Sequence, residues 1–166
     1  MRCDVKKSTE SIPDKVTRGA IPVLERLDAL DKDQLHAVLA TESDRQPYTS
    51  MIAYALSPDK TGIVFATPAK TQKYRNILKN GRVSLLIDTR SNTARDYLGA
   101  ESLTVLGNAK PMRRGAKWSE LAMALTRKHP NLIEMIHSPE TKLIFVKITR
   151  CIHVSRFQTV SEWMLR

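Results

Sequence analysis

Cysteine is scarce in this chain: Cys3 and Cys151 are the only two in 166 residues, and no CxxC pair exists. A disulfide framework and a thiolate metal site are excluded, and reduced thiols fit a cytoplasmic protein. Aromatic residues make up only 5% of the chain, which disfavours the stacked aromatic platforms of nucleic-acid-binding barrels. No apolar run approaches the roughly 20 residues of a membrane span, and MRCDVKKSTE at the start has no apolar stretch of the secretory type. The phosphate-loop, dinucleotide-binding, HExxH and GxSxG signatures are missing as well. The histidines His36, His129, His137 and His153 stand far apart with no ligand spacing, so no metal site is expected. His36 lies in an apolar run and reads as a core histidine. Glu42 and Asp44 fall in turn sequence and read as solvated carboxylates, which disfavours a hydrolase.

What is present is positive charge and strand-forming sequence. The 27 Lys and Arg against 17 Asp and Glu leave a net charge of +10. A basic protein attracts anions. The basic residues are dispersed, densest over Lys70–Lys79 and Arg113–Lys117, with no continuous basic tail. That favours small phosphorylated ligands over nucleic acid.

Residues 1–20 are polar and read as a flexible arm, with residues 21–166 as one domain. Pro22 opens a helical stretch in which Ile21, Leu24, Leu27 and Leu30 recur at three-residue spacing. Leu35–Thr41, Pro47–Leu56 and Gly62–Thr67 follow as strands joined by the turns ESDRQ and SPDKT, an antiparallel meander. The period then lengthens over Thr71–Asn80, which places Tyr74, Ile77 and Leu78 on one helical face, and Gly81 ends that helix. Arg82–Asp88 is a fourth strand, residues 89–100 a long loop, and Leu103–Met112 a fifth strand with a bend at Gly107. Gly115–Lys128 is helical, with Trp118, Leu121, Ala122 and Leu125 at helix spacing, and a short second helix is read over Pro130–Ile136. Thr141–Arg156 is either a strand pair or one long bent strand, with Lys147 and Arg150 facing away. The class is mainly β with helices (α+β), and six strands of this kind imply a small, nearly closed antiparallel barrel.

The chemically informative segment is FATPAKTQKYRNI, Phe65–Ile77. A strand ends at Thr67, a Pro-containing turn follows, and Thr71 is placed to cap the next helix. Free N–H groups at the helix start, the Thr71 hydroxyl and the nearby Lys70, Gln72 and Lys73 form a chemically sensible phosphate cradle. An ordinary capped surface helix with solvated lysines has the same sequence features.

The order of LHAVLATESDRQPYTSMIAYAL, GIVFATPAKTQKYRNILKNGRVSLLIDT and LTVLGNAKPM resembles the pyridoxamine 5′-phosphate oxidase-like family of FMN-binding split barrels. The matching features are Thr67, the triplet Thr71-Gln72-Lys73, the run Asn80–Leu86 and the Val105–Ala109 turn. About half the chain is covered. The resemblance implies a six-stranded antiparallel split β-barrel, a homodimer, and FMN at the subunit interface. It implies that Thr71, Gln72 and Lys73 hold the FMN phosphate, with Lys70 beside them. Ser50, Met51 and Ile52 would lie along the flavin through backbone groups, and Thr67 would meet the ring or the ribityl chain. Ser102 falls where the family supplies a polar side chain from the partner subunit. Trp163 is placed either beside the flavin or at the dimer interface.

Two positions depart from the pattern: Gln72 stands for the usual Arg of the triplet, and Ser50 for the usual strand Arg. Lys70 and Arg75 are available to compensate in charge. The SEWMLR ending lacks the Arg-Leu tail expected of true pyridoxamine phosphate oxidases. The functional expectation is an FMN-dependent oxidoreductase with small-molecule electron donor and acceptor, NAD(P)H among the candidate donors. The alternative is a non-catalytic protein of the same fold that binds flavin, deazaflavin or haem. No acid, base or nucleophile is demanded by the sequence.

Overall fold

The computed structural model describes residues 22–155 and 159–164; the N-terminal arm expected over residues 1–20 and Cys3 lie outside them. The chain opens with helix α1 (Val23–Asp33). Its buried stripe is Val23, Leu27 and Leu30; Leu27 and Leu30 are buried as expected, Val23 rather than Leu24 fills the first turn, and Ile21 lies outside the described residues. Strand β1 (His36–Ser43) and strand β2 (Gln46–Leu56) form a hairpin. Its two turn residues, Asp44 (φ 55°) and Arg45 (φ 65°), are both left-handed, the geometry that matches strand twist in a two-residue turn. The Glu42 carboxylate accepts the Arg45 N–H at 2.6 Å and holds that turn.

Strand β3 (Gly62–Pro68), helix α2 (Gln72–Lys79) and strand β4 (Arg82–Asp88) follow. A single helical turn, α3 (Asp96–Gly99), interrupts the expected loop over residues 89–100. Then come strand β5 (Ser102–Pro111), helix α4 (Ala116–Lys128), a 3-10 turn at Pro130–Leu132, helix α5 (Ile133–His137), strand β6 (Thr141–Ser155) and strand β7 (Thr159–Met164). All pairings are antiparallel, in the order β3-β2-β1-β4-β5-β6-β7, and β6 also pairs with β3. That second pairing closes a six-stranded barrel and leaves β7 outside it. The segment from Thr141 is one 15-residue strand, and the seventh strand was not anticipated.

Alternation along the strands sends one face inward. Leu39, Tyr54, Phe65, Leu85, Ile87, Leu103, Val105 and Val146 fill the barrel, with Leu27 and Leu30 of α1. A second core lies outside, where Trp118, Leu121, Ala122 and Leu125 of α4 and Ile136 of α5 meet Ala55, Val64, Leu143 and Phe145. Residues 113–140 therefore include helices that bury the outer faces of β2, β3 and β6, and those strands are apolar on both faces.

The bend at Gly107 is real. The β5–β6 register shifts between Leu106 and Gly107, and Thr149 is the extra residue of β6, its hydroxyl donating to the Leu106 carbonyl at 3.1 Å. A Cβ on Gly107 would stand 2.5 Å from the Lys147 carbonyl oxygen, so close strand approach requires glycine there.

Two expectations are corrected. His36 is exposed rather than core, because as the first residue of β1 it precedes the first inward position, Ala37. Leu78 is 59% exposed, while Asn76 joins Ile77 on the buried face of α2.

Candidate functional site

The barrel is open along one seam. β2 and β3 pair only through Tyr54–Leu56 and Phe65–Ile63. Beyond that, β2 from Gln46 to Ala53 pairs with β1 alone, and Ala66–Pro68 of β3 with β6 alone. Helix α2 starts at this opening. Unpaired strand edge, helix N-terminus and loop backbone thus converge on one place, where main-chain polar groups await partners.

Thr71 is the N-cap, as its sequence position implied. Its hydroxyl accepts from the Tyr74 N–H at 3.4 Å and donates to the Pro68 carbonyl at 3.0 Å. Thr67, buried at the end of β3, meets the same hydroxyl at 2.9 Å. With its proton on Pro68, Thr71 Oγ1 accepts from Thr67, so this hydroxyl pair fixes the turn between strand and helix. The N–H groups of Gln72 and Lys73 have no acceptor among the described residues, and the helix dipole adds positive potential there.

Lys73 is half-buried, and burial holds its ammonium pKa below the ordinary lysine value. No acidic partner for it occurs among the described residues. A desolvated cation without a counter-charge at a helix N-terminus is the electrostatic arrangement of an anion site. Lys70 is exposed at the same turn. Across the seam, Ser50 Oγ is buried with no partner among the described residues, an orphan hydroxyl of the kind that calls for an explanation.

The Gln72 amide is occupied by neighbours on its own helix. Its amide donates to Asn76 Oδ1 at 2.7 Å, and its oxygen accepts from Arg75 Nη2 at 2.7 Å. Asn76 in turn donates to Thr41 Oγ1 at 3.0 Å, which ties α2 to β1. Sequence reasoning missed Asn76 and Thr41; the available signal was the i, i+4 pairing of two amides across one helical turn. Ile52 is buried in the barrel, while Met51 points the other way and is 70% exposed. Both reach the seam through backbone only.

Ser102 and Trp163 lie elsewhere. Ser102 pairs with Asp88 at the far end of β4 and β5 from Arg82, which follows α2; six residues of strand separate those ends by about 20 Å. Trp163 pairs with Cys151 and packs against the barrel core. Neither meets the cradle within one chain.

The outer sheet face carries Met51, Val38, Leu86, Thr104 and Ile152 in one register row. None of these belongs to either core cluster. Near its end, Leu86, Asp88, Arg90, Ala100, Glu101, Ser102 and Val154 line an open pocket of about 370 Å³.

An antiparallel barrel closed between β3 and β6 and opened between β2 and β3 is a split barrel. The family model for pyridoxamine 5′-phosphate oxidase matches residues 24–155, and the chain belongs to that family. No curated protein matches it in sequence. Among solved structures it is similar to a haem-binding protein from Mycobacterium smegmatis (16% identity, TM-score 0.75), covering 87% of this chain and 59% of that one. A haem storage protein from Vibrio cholerae is similar at 14% identity and TM-score 0.66, covering 85% of this chain and 94% of that one. An FAD-binding protein from Mesorhizobium loti is similar at 18% identity and TM-score 0.65, with 80% and 92% covered. At these identities the likeness is one of fold. The chain spans 59% of the Mycobacterium protein's length. No helix among the described residues is long and apolar enough to cross a membrane.

Proposed function

We propose that this protein binds FMN at a homodimer interface and works as an FMN-dependent oxidoreductase. The observation that carries this reading is Lys73: a desolvated ammonium with no acidic partner among the described residues, beside the Gln72 and Lys73 N–H groups of α2, which have no acceptor among them either. A phosphate monoester supplies the counter-charge and the acceptors that these groups lack. The orphan Ser50 hydroxyl and the unpaired edge of β2 supply further hydrogen bonds along the same seam. The residues present therefore fit the group.

When bound, flavin supplies hydride and electron transfer between a small-molecule donor such as NAD(P)H and an acceptor. The chain's part is to hold and shield. Lys73 and the first turn of α2 anchor the phosphate, and Thr67 and Thr71 fix the turn that aims them. Backbone at Ser50–Ile52 offers polar groups to the ring. A second copy seated on the Met51–Ile152 face covers apolar side chains that belong to neither core, and it is the route by which Ser102 reaches a cradle about 20 Å away. Family membership by itself does not extend to the pyridoxamine phosphate oxidase reaction.

The test is an absorption spectrum of purified protein after FMN is added and the excess removed. The expected result is a retained flavin spectrum that Lys73→Ala with Thr71→Ala reduces by about 10-fold or more in affinity, through the loss of the charge-assisted hydrogen bond from Lys73 and of the cap that fixes the turn. Unchanged FMN affinity in the double variant refutes the phosphate site. A Soret band in place of flavin bands assigns the fold here to haem.

A further inference from the structure

The triplet that opens α2 places glutamine where the resemblance leads one to expect arginine, yet a guanidinium is present at the helix start. Helical side chains lean toward the N-terminus. Arg75, in the first turn, leans back far enough for Nη1 to donate to the Lys70 carbonyl at 2.8 Å. Its Nη2 donates to Gln72 Oε1 at 2.7 Å. These contacts place the guanidinium at the turn that precedes α2, although its Cα lies three residues beyond Gln72. A guanidinium has five N–H donors, so three remain for a ligand. Gln72 is itself held, through Asn76, to Thr41 of β1.

We propose that Arg75 is the arginine of the phosphate site, and that Gln72 is a positioning residue that holds it there. This rests on the FMN reading above. The phosphate is then gripped by the Lys73 ammonium, the free N–H groups of α2, and a guanidinium delivered from one turn along the helix. Gln72 touches no phosphate oxygen; it acts by orienting Arg75. Arg75 is exposed and outside both cores, so its replacement leaves the fold intact.

The experiment compares affinities for FMN and riboflavin, which differ by the phosphate alone. Wild type, Arg75→Gln, Arg75→Lys and Gln72→Ala are titrated by flavin fluorescence, with unfolding midpoints as a check on the fold. Arg75→Gln removes the charge and keeps a polar, helix-compatible side chain at this exposed position. We expect it to weaken FMN binding about 10- to 100-fold, as the loss of a charged hydrogen-bonding partner does, and to leave riboflavin binding unchanged. Arg75→Lys restores part of the loss, because a point charge replaces the fork. Gln72→Ala weakens FMN alone by a smaller factor, and adds nothing in the Arg75→Gln background. Equal FMN affinity in wild type and Arg75→Gln overturns the proposal while leaving the flavin reading intact. Equal losses of FMN and riboflavin overturn it too, since they assign Arg75 a structural role. Wild-type protein that binds neither ligand overturns both readings.

Discussion

Two buried histidines make stability depend on pH in a window separate from that of the carboxylates. His129 Nε2 meets the Tyr54 carbonyl at 2.8 Å, which fixes Nε2 as the protonated nitrogen of a neutral ring. Burial, Lys128 of α4 and His36 of β1 hold its pKa below 6.5, against the hydrogen bond to Tyr54 of β2 and the charge of Asp31 on α1. His153 Nε2 meets Glu101 at 2.8 Å, but Glu101 is already paired with Arg26 of α1, and burial and that guanidinium lower the His153 pKa as well. Both folded values lie below the unfolded value, so the unfolded chain binds more protons as pH falls. The associated stability is full above pH about 6.5 and is lost as pH drops toward each lowered folded pKa. The slope is at most about 1.4 kcal/mol per pH unit for each ring and about 2.7 for the two together. Asp28, Asp44 and Asp96 have their carboxyls held below 3.8, so their contribution fades only in more acidic solution. Urea unfolding at pH 8, 7, 6 and 5 reads the slope. His129→Gln with His153→Gln keeps an amide donor at each position and is expected to flatten it. A wild-type profile flat from pH 7 to 5, or one that the double variant leaves unchanged, refutes the argument.

Gly107→Ala forces a Cβ to within 2.5 Å of the Lys147 carbonyl oxygen and 2.7 Å of Val146 Cγ1; a loss of about 2 kcal/mol or more is expected in chemical unfolding. Leu125→Ala empties a fully buried site in the α4 core and is expected to cost about 2–5 kcal/mol, whereas Leu78→Ala at an exposed position shifts the midpoint by no more than about 0.5 kcal/mol. Leu86→Glu puts a charge in the middle of the outer sheet row; sedimentation is expected to show a monomer with weakened flavin retention. In a Cys3→Ser background, the buried Cys151 thiol, pushed up to about 12 by burial, is expected to resist thiol reagents at pH 8 until the protein unfolds.

Much of the barrel was legible because burial on one face writes a period into the sequence. Arg82–Asp88 alternates Val83, Leu85 and Ile87 inward, and its bounds were read as they stand. Helix α4 announced itself through Trp118, Leu121, Ala122 and Leu125. Periodicity failed where a polar residue is buried with a distant partner. The Gln72/Asn76 spacing hints at an amide pair, but it does not reveal that Asn76 faces inward to meet Thr41, 35 positions away, and apolar periodicity puts Leu78 in the core position instead. It failed again at β7, a short strand with one neighbour, β6. In the cradle, residue types were legible and orientations were not. Thr71 as cap follows from local chemistry, whereas the turn of Gln72 toward Asn76 and Arg75 depends on which of several amide partners wins.

Strand β6 pairs with β3, β5 and β7, and this has a consequence for how the molecule assembles. Gly62 and Lys147, joined in the closing ladder, are about 85 residues apart along the chain, a separation whose closure costs about 4 kcal/mol in chain entropy by its length term. On the ribosome, everything from β1 to β5 emerges before its closing partner exists. Until β6 arrives, β3 and β5 present bare edges, so folding is governed by long-range contacts. The interval between emergence of β5 and docking of β6 is when the nascent chain is most exposed to pairing with a neighbour of its own kind.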